Sequence, residues 1–244
     1  MTPPPHPIAA RVTLAILATL LPSALPAQQP VPRTIILLDP AHGGPDSGAR
    51  FSDQLLEKDL TLSFAAILRA SLSTGGFTLI ATRDTDPTVL FTADQRAEIA
   101  NHAHPSACLV LHATSSGNGI HIVTSALTPP GEATGASDPD TPHAPAPWQD
   151  AQAAFIPQSL RLANEIGLAL LRAKLPVILT QSSIHPLDNL ICPAVAIEIA
   201  PLATDGSDPI PAADLTYQHT ITQAIVIALT SWRTHNTTAA GASR

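Results

Sequence analysis

Four side chains in this sequence have the types that metal-dependent hydrolysis requires: His42, Glu57, His112 and Glu198. Two imidazoles and one carboxylate form a common ligand set for catalytic zinc, with water in the fourth place. Zinc held this way polarises a substrate carbonyl and draws the pKa of its water towards ~7. A second carboxylate that is not a ligand then takes the water's proton and hands it to a leaving nitrogen. Glu198 suits that second role because it interrupts the aliphatic run AVAIEIA, where burying an unpartnered carboxylate is costly. Residue types alone leave the simpler readings open. The chain has ten histidines, so two near strand ends are within chance. Glu57 by itself suits a helix start, and Glu198 by itself could pair with an arginine.

The elements that would position these groups are legible. TIILLDP (34–40) is a continuous β-branched and leucine run, as expected of a strand covered on both faces. The turn AHGG follows, with Gly43 and Gly44 free to bend sharply. EKDLTLSFAAILRASLSTGG repeats apolar residues at Leu60, Phe64, Ile67, Leu68 and Leu72, which is helical spacing, and Gly75-Gly76 supplies its stop. FTLIATR, ACLVLHA, GIHIVTSA, LPVILTQSS and AVAIEIA read as further strands. TADQRAEIANHA carries Thr92 and Gln95 at capping-box spacing; PQSLRLANEIGLALLRA and LTYQHTITQAIVIALTSWR complete the helices. Strands alternating with helices predict an α/β fold, a single domain with a twisted, mostly parallel sheet of about six strands flanked by helices. Ligands gather at the carboxyl ends of such strands. His42 lies just past the first strand, His112 at the end of the third and Glu198 late in the last. Glu57 opens the helix that follows the first strand, so all four are expected at one rim.

Residues 127–156 are rich in Pro, Ala and Gly without periodicity and are expected to be an irregular insertion; 234–244 is expected to be a frayed polar tail. Residues 1–27, with Arg11, the apolar run VTLAILATLL and the segment PSALPA, have the order of a secretory signal, followed by a linker over 28–33. The apolar run is shorter than the roughly 20 residues of a membrane span, so the mature chain is expected to have none and to be exported, periplasmic or extracellular. Net charge is -7 with two lysines, Lys58 and Lys174, which argues against nucleic acid as a partner. Aromatic residues are 3%, so the core must be aliphatic. Cys108 and Cys192 could pair in an exported protein, but each stands near the start of a buried strand and is read here as a buried thiol.

The segments LLDPAHGGPDSGA, EKDLTL, ATRDTD, TADQRAEIAN, LVLHA and PAVAIEIAPL, in that order, resemble the zinc-dependent N-acetylmuramoyl-L-alanine amidases of bacterial cell walls. The resemblance runs from Thr34 to Leu202. It implies one zinc ion per chain, held by His42 of the HGG turn, Glu57 of EKD and His112 of LHA, with Glu198 as catalytic base. It also implies hydrolysis of the amide joining the lactyl group of N-acetylmuramic acid to L-alanine of the peptidoglycan stem peptide. The chain departs from the family pattern at Ala41, at Thr114 and in APLATDG, where Ala200, Pro201 and Thr204 stand. These changes put substrate fit, rather than hydrolysis, in question. Two alternatives follow: a zinc hydrolase of soluble muropeptides or another amide, and a wall-binding regulator with decayed chemistry.

Some relatives carry, in the region of the insertion, a helix that occludes the metal until an activator partner displaces it. The insertion here, which contains Trp148 and Phe155, is Pro-rich and lacks helical periodicity, so a plug is a hypothesis for this chain beside the simpler surface loop. His121 is read as a packed or surface imidazole. His102 and His104 close a helix, His185 lies in a loop that could approach the cleft, and Arg83 and Arg96 are read as ion-pairing scaffold.

Overall fold

The computed structural model describes residues 34–129 and 147–242, with Ser207 and 236–242 by backbone alone. The expected signal and linker, 1–33, lie outside the described residues, as does most of the expected insertion. Six strands form the main sheet: β1 (Ile35–Pro40), β2 (Thr78–Ala81), β3 (Ala107–Ala113), β4 (Ile120–Thr124), β5 (Val177–Gln181) and β6 (Ala194–Ile199). Their order is β2-β1-β3-β6-β4-β5. β1, β2, β3 and β6 run parallel; β4 is antiparallel to β6, and β5 follows β4. The helices are α1 (Glu57–Thr74), α2 (Ala93–Ala103), α3 (Ile156–Arg172) and α4 (Leu215–Ala242). Thr92 caps α2 in the anticipated capping box with Gln95, and Pro157 sits in the first turn of α3. No helix among the described residues is long and apolar enough to cross a membrane.

The alternation of each strand divides the core in two. Ile36, Leu38, Leu109, Leu111, Val195 and Ile197 face one way and meet Phe64 and Leu68 of α1, Leu162 and Ile166 of α3, and Ile221 and Ile225 of α4. On the other face, Leu37, Cys108, Val110, Ala194 and Ala196 meet Ala97 and Ala100 of α2 and Leu187 and Leu190 of the loop before β6. Three helices thus cover one face, while a short helix and a loop cover the other. The second face is left open at the carboxyl end of β3 and β6, and there the polar residues collect.

The structure corrects several expectations. Cys108 and Cys192 are not separate thiols but a disulfide with a Cα separation of 6.2 Å. The reason is topological: β3 and β6 are parallel neighbours, so two cysteines near their starts, on one face, are adjacent. The bridge closes a loop of 84 residues, and loops of that size stabilise by restricting the unfolded chain, typically by about 2–4 kcal/mol. Replacing both cysteines with alanine is expected to lower unfolding free energy by about that amount, measured by urea denaturation. An unchanged midpoint would refute it.

The stretch 127–156 is not irregular throughout. Trp148–Phe155 forms two short 3-10 turns broken at Asp150. Gln152 is buried there, its amide donating to the carbonyls of Leu190 (2.6 Å) and Cys192 (2.9 Å) while its oxygen accepts from Ser159 Oγ (2.7 Å). A single anchored polar side chain leaves no periodic trace. The proposed occluding plug falls mainly on 130–146, outside the described residues. Beyond β6, β7 (Leu202–Thr204) and β8 (Ser207–Ile210) form a short antiparallel pair that the sequence reading does not include. Within the expected tail, the described residues are helical, α4 continuing through Ala242.

Candidate metal centre

The turn after β1 places the first imidazole. His42 adopts a left-handed backbone (φ 62°), and Gly44 (φ 59°) follows it. Two arginines hold the carbonyls of this turn. Arg83 donates to Pro40 O (2.9 Å), Ala41 O (3.0 Å) and Lys58 O (2.7 Å). Arg96 donates to Pro40 O (2.9 Å) and His42 O (2.5 Å), and pairs with buried Asp39 at 2.7 Å. The expected ion-pairing role holds for Arg96; Arg83 instead serves as a cradle for backbone oxygens. Lys58 Nζ reaches Gly44 O (2.9 Å) and Asp86 (2.8 Å), and Asp86 accepts the Gly44 amide (2.6 Å). A charged framework therefore fixes the turn, which also lies close against Pro87 and Val89.

Glu57, the first residue of α1, is buried beneath that turn. Its Oε2 accepts from the Ala49 amide (2.8 Å) and lies 3.1 Å from His42 Nε2. Its Oε1 accepts from the Ala113 amide (3.1 Å) and lies 2.9 Å from His112 Nδ1. The two imidazoles stand edge-on, 5.3 Å between centroids. The ligand atoms of His42, Glu57 and His112 all lie within 4.8 Å of one another, the only such group of three among the described residues. Burial alone would raise the Glu57 pKa, but hydrogen bonds from both histidines and both amides hold it well below the usual carboxylate range. Burial likewise opposes charge on His42, yet its contacts with Glu57 and Asp46 raise its pKa above 6.5.

The residues fit a tetrahedral cation. Zinc–ligand bonds of about 2.0–2.2 Å put donor atoms about 3.3–3.6 Å apart, and both histidine–Glu57 separations are slightly shorter. Asp46 Oδ2 lies 2.9 Å from His42 Nδ1, so Nδ1–H donates outward and the proton that Nε2 shares with Glu57 is the one a metal would displace, freeing that lone pair for the site. Room is kept by Gly48: a Cβ there would stand 2.6 Å from Glu57 Oε2 and 2.6 Å from His42 Cδ2.

Glu198 sits one strand over, beside His112 in the parallel register of β3 and β6. It shares a cavity of about 460 Å³ with His112, Val123, Ser183, Ile184, His185 and Ala196. His185 also borders a smaller cavity with His42, Asp46 and His112, so the loop histidine does reach the cleft. His121, read from sequence as a packed or surface imidazole, lies with Nδ1 3.1 Å from Glu198 Oε2. His102 falls in the last turn of α2 and His104 caps it, away from the cavity-lining residues.

At the rim of this mixed α/β sheet two histidines and a glutamate converge on one point, a donor set that suits one metal ion, with a second glutamate in the adjoining cleft. Residues 36–231 match the family model described as N-acetylmuramoyl-L-alanine amidase, and the chain belongs to that family. A germination-specific N-acetylmuramoyl-L-alanine amidase of Bacillus subtilis is 48% identical over 61 residues, and the match spans 25% of this chain and 25% of that relative. The amidase AmiC2 of Nostoc punctiforme shares the fold with TM-score 0.58 at 21% identity, covering 82% of this chain and 97% of that one. The CwlD amidase of Clostridioides difficile, solved in complex with the GerS lipoprotein, gives TM-score 0.58 at 21% identity, covering 83% and 99%.

Proposed function

We propose that this protein is a zinc-dependent amidase that hydrolyses the bond between the lactyl group of N-acetylmuramic acid and L-alanine of peptidoglycan. The observation that carries the reading is the convergence of His42, Glu57 and His112 beside a cleft that also contains Glu198. His42 Nε2, His112 Nδ1 and the Glu57 carboxylate would hold one zinc ion. When bound, zinc supplies Lewis-acid polarisation of the scissile carbonyl and a water more easily deprotonated near neutral pH. Glu198 accepts the proton of the attacking water and delivers it to the departing L-alanine nitrogen. Asp46 keeps His42 in the ligating tautomer, and the arginine-held turn fixes its position. Export agrees with the Cys108–Cys192 disulfide, since such bonds persist in oxidising compartments.

The test is digestion of purified sacculi by the zinc-loaded protein, with the released fragments weighed. Free stem peptides beginning with L-alanine and intact glycan strands are expected. Release of disaccharide fragments, or of nothing, would overturn the reading. Running soluble muropeptides in parallel separates wall hydrolysis from the alternative of a muropeptide hydrolase, and metal content separates both from a decayed regulator.

Zinc binding should weaken on acidification. Below its raised pKa His42 carries a proton that the metal must displace, whereas above it the lone pair is free. Glu57 stays ionised across the same range. Affinity is therefore expected to rise with pH through the neutral region and then level off. Dialysis at graded pH followed by metal analysis checks this, and a flat profile would contradict it.

A further inference from the structure

We propose that His121 is a positioning residue that sets the orientation of the Glu198 carboxylate, an inference that rests on Glu198 being the base. The sheet itself creates the pair. His121 stands opposite Glu198 in the antiparallel register of β4 and β6, and His112 stands beside Glu198 in the parallel register of β3 and β6. Residues opposite each other on one face are close neighbours. The strand neighbours Leu111, Ala113, Ile120, Ile122, Ile197 and Ile199 all belong to the core on the opposite face. His112, Glu198 and His121 consequently form a row across three adjoining strands on the open face. The candidate ligand lies at one end, the candidate base in the middle and a second imidazole at the other end.

The contact between them is specific. His121 Nδ1 lies 3.1 Å from Glu198 Oε2, and among the described residues no other group hydrogen-bonds this carboxylate. The Glu198 side chain is 36% exposed, so without His121 its torsions would have little to restrict them. With Nδ1–H donating to Oε2, the second oxygen is left for the cleft that Glu198 and His112 share. A base displaced by about 1 Å can lose roughly 10²-fold in rate, so holding one oxygen controls what the other can do.

The experiment uses the zinc-loaded full chain on sacculi or muropeptides. His121→Phe, which keeps a ring but no donor, is expected to lower kcat by about 10–100-fold with KM, zinc content and melting temperature little changed. His121→Asn places an amide N–H near the position of Nδ1 and is expected to restore most of that loss. In the Glu198→Gln background, His121→Phe should cost nothing further, because the two act as a unit. Should the Phe variant not fold, His121→Leu is read the same way. Wild-type kcat in the Phe variant, no rescue by Asn, or an undiminished effect in the Glu198→Gln background would each overturn the inference. Inactivity of the unaltered protein would overturn the amidase reading instead, so the two failures are distinct.

Discussion

Glu198→Gln is expected to retain a full complement of zinc while turnover falls by about 10²–10⁴-fold, the range over which a positioned acid–base group contributes. Glutamine matches glutamate in size, and its amide oxygen can still accept from His121 Nδ1–H, so the local arrangement at 3.1 Å has no reason to shift. What is lost is an oxygen able to take a proton from water and later release it to nitrogen. The residue lies outside the group formed by His42, Glu57 and His112, so metal content has no reason to change. Zinc analysis and sacculus digestion on the same preparation provide the check. Full activity in this variant would remove Glu198 from the chemistry.

How far such a site can be read from a sequence depends on strand direction. β1, β3 and β6 are parallel, so the rule that ligands gather at carboxyl ends brings His42, His112 and Glu198 to one rim. β4 breaks the rule. It runs against β6, so its beginning, not its end, lies at that rim, and His121 enters the cleft from a position that a parallel sheet would place at the far edge. The alternation in GIHIVTSA shows that His121 shares a face with Val123 but not which rim it approaches. The disulfide was hidden for a related reason. Two strand-start cysteines are adjacent only if their strands are neighbours, and β3 and β6 are neighbours in the sheet although 84 residues separate the two cysteines along the chain. β7 and β8 are three and four residues long, one of them containing Pro209, too short for periodicity to register. The helical continuation past residue 233 has a different cause. Once a packed segment has met the cost of nucleation, each added residue costs little, and composition alone suggests a tail.

His112→Ala is expected to abolish both metal retention and activity, and its comparison with Asp46→Ala turns that expectation into a graded test. His112 is the penultimate residue of β3, so its ring is aimed by the sheet, and its Nδ1 meets Glu57 Oε1 at 2.9 Å. Deleting it leaves two candidate ligands, of which His42 alone is an imidazole. Asp46 contributes no ligand; it fixes the tautomer of His42 through Nδ1 at 2.9 Å. Removing an outer partner of this kind typically weakens metal binding by about 10–100-fold, so loss of the ligand itself should exceed that range. Competition with a chromophoric chelator at neutral pH should therefore rank the proteins as unaltered, then Asp46→Ala, then His112→Ala, with the last holding no measurable zinc. Glu57 would remain anchored in both variants by the amides of Ala49 and Ala113, so the ranking reports ligation rather than collapse of the turn. Stoichiometric zinc in His112→Ala would show that the ion, if bound, is held elsewhere, and the three-residue centre would have to be abandoned.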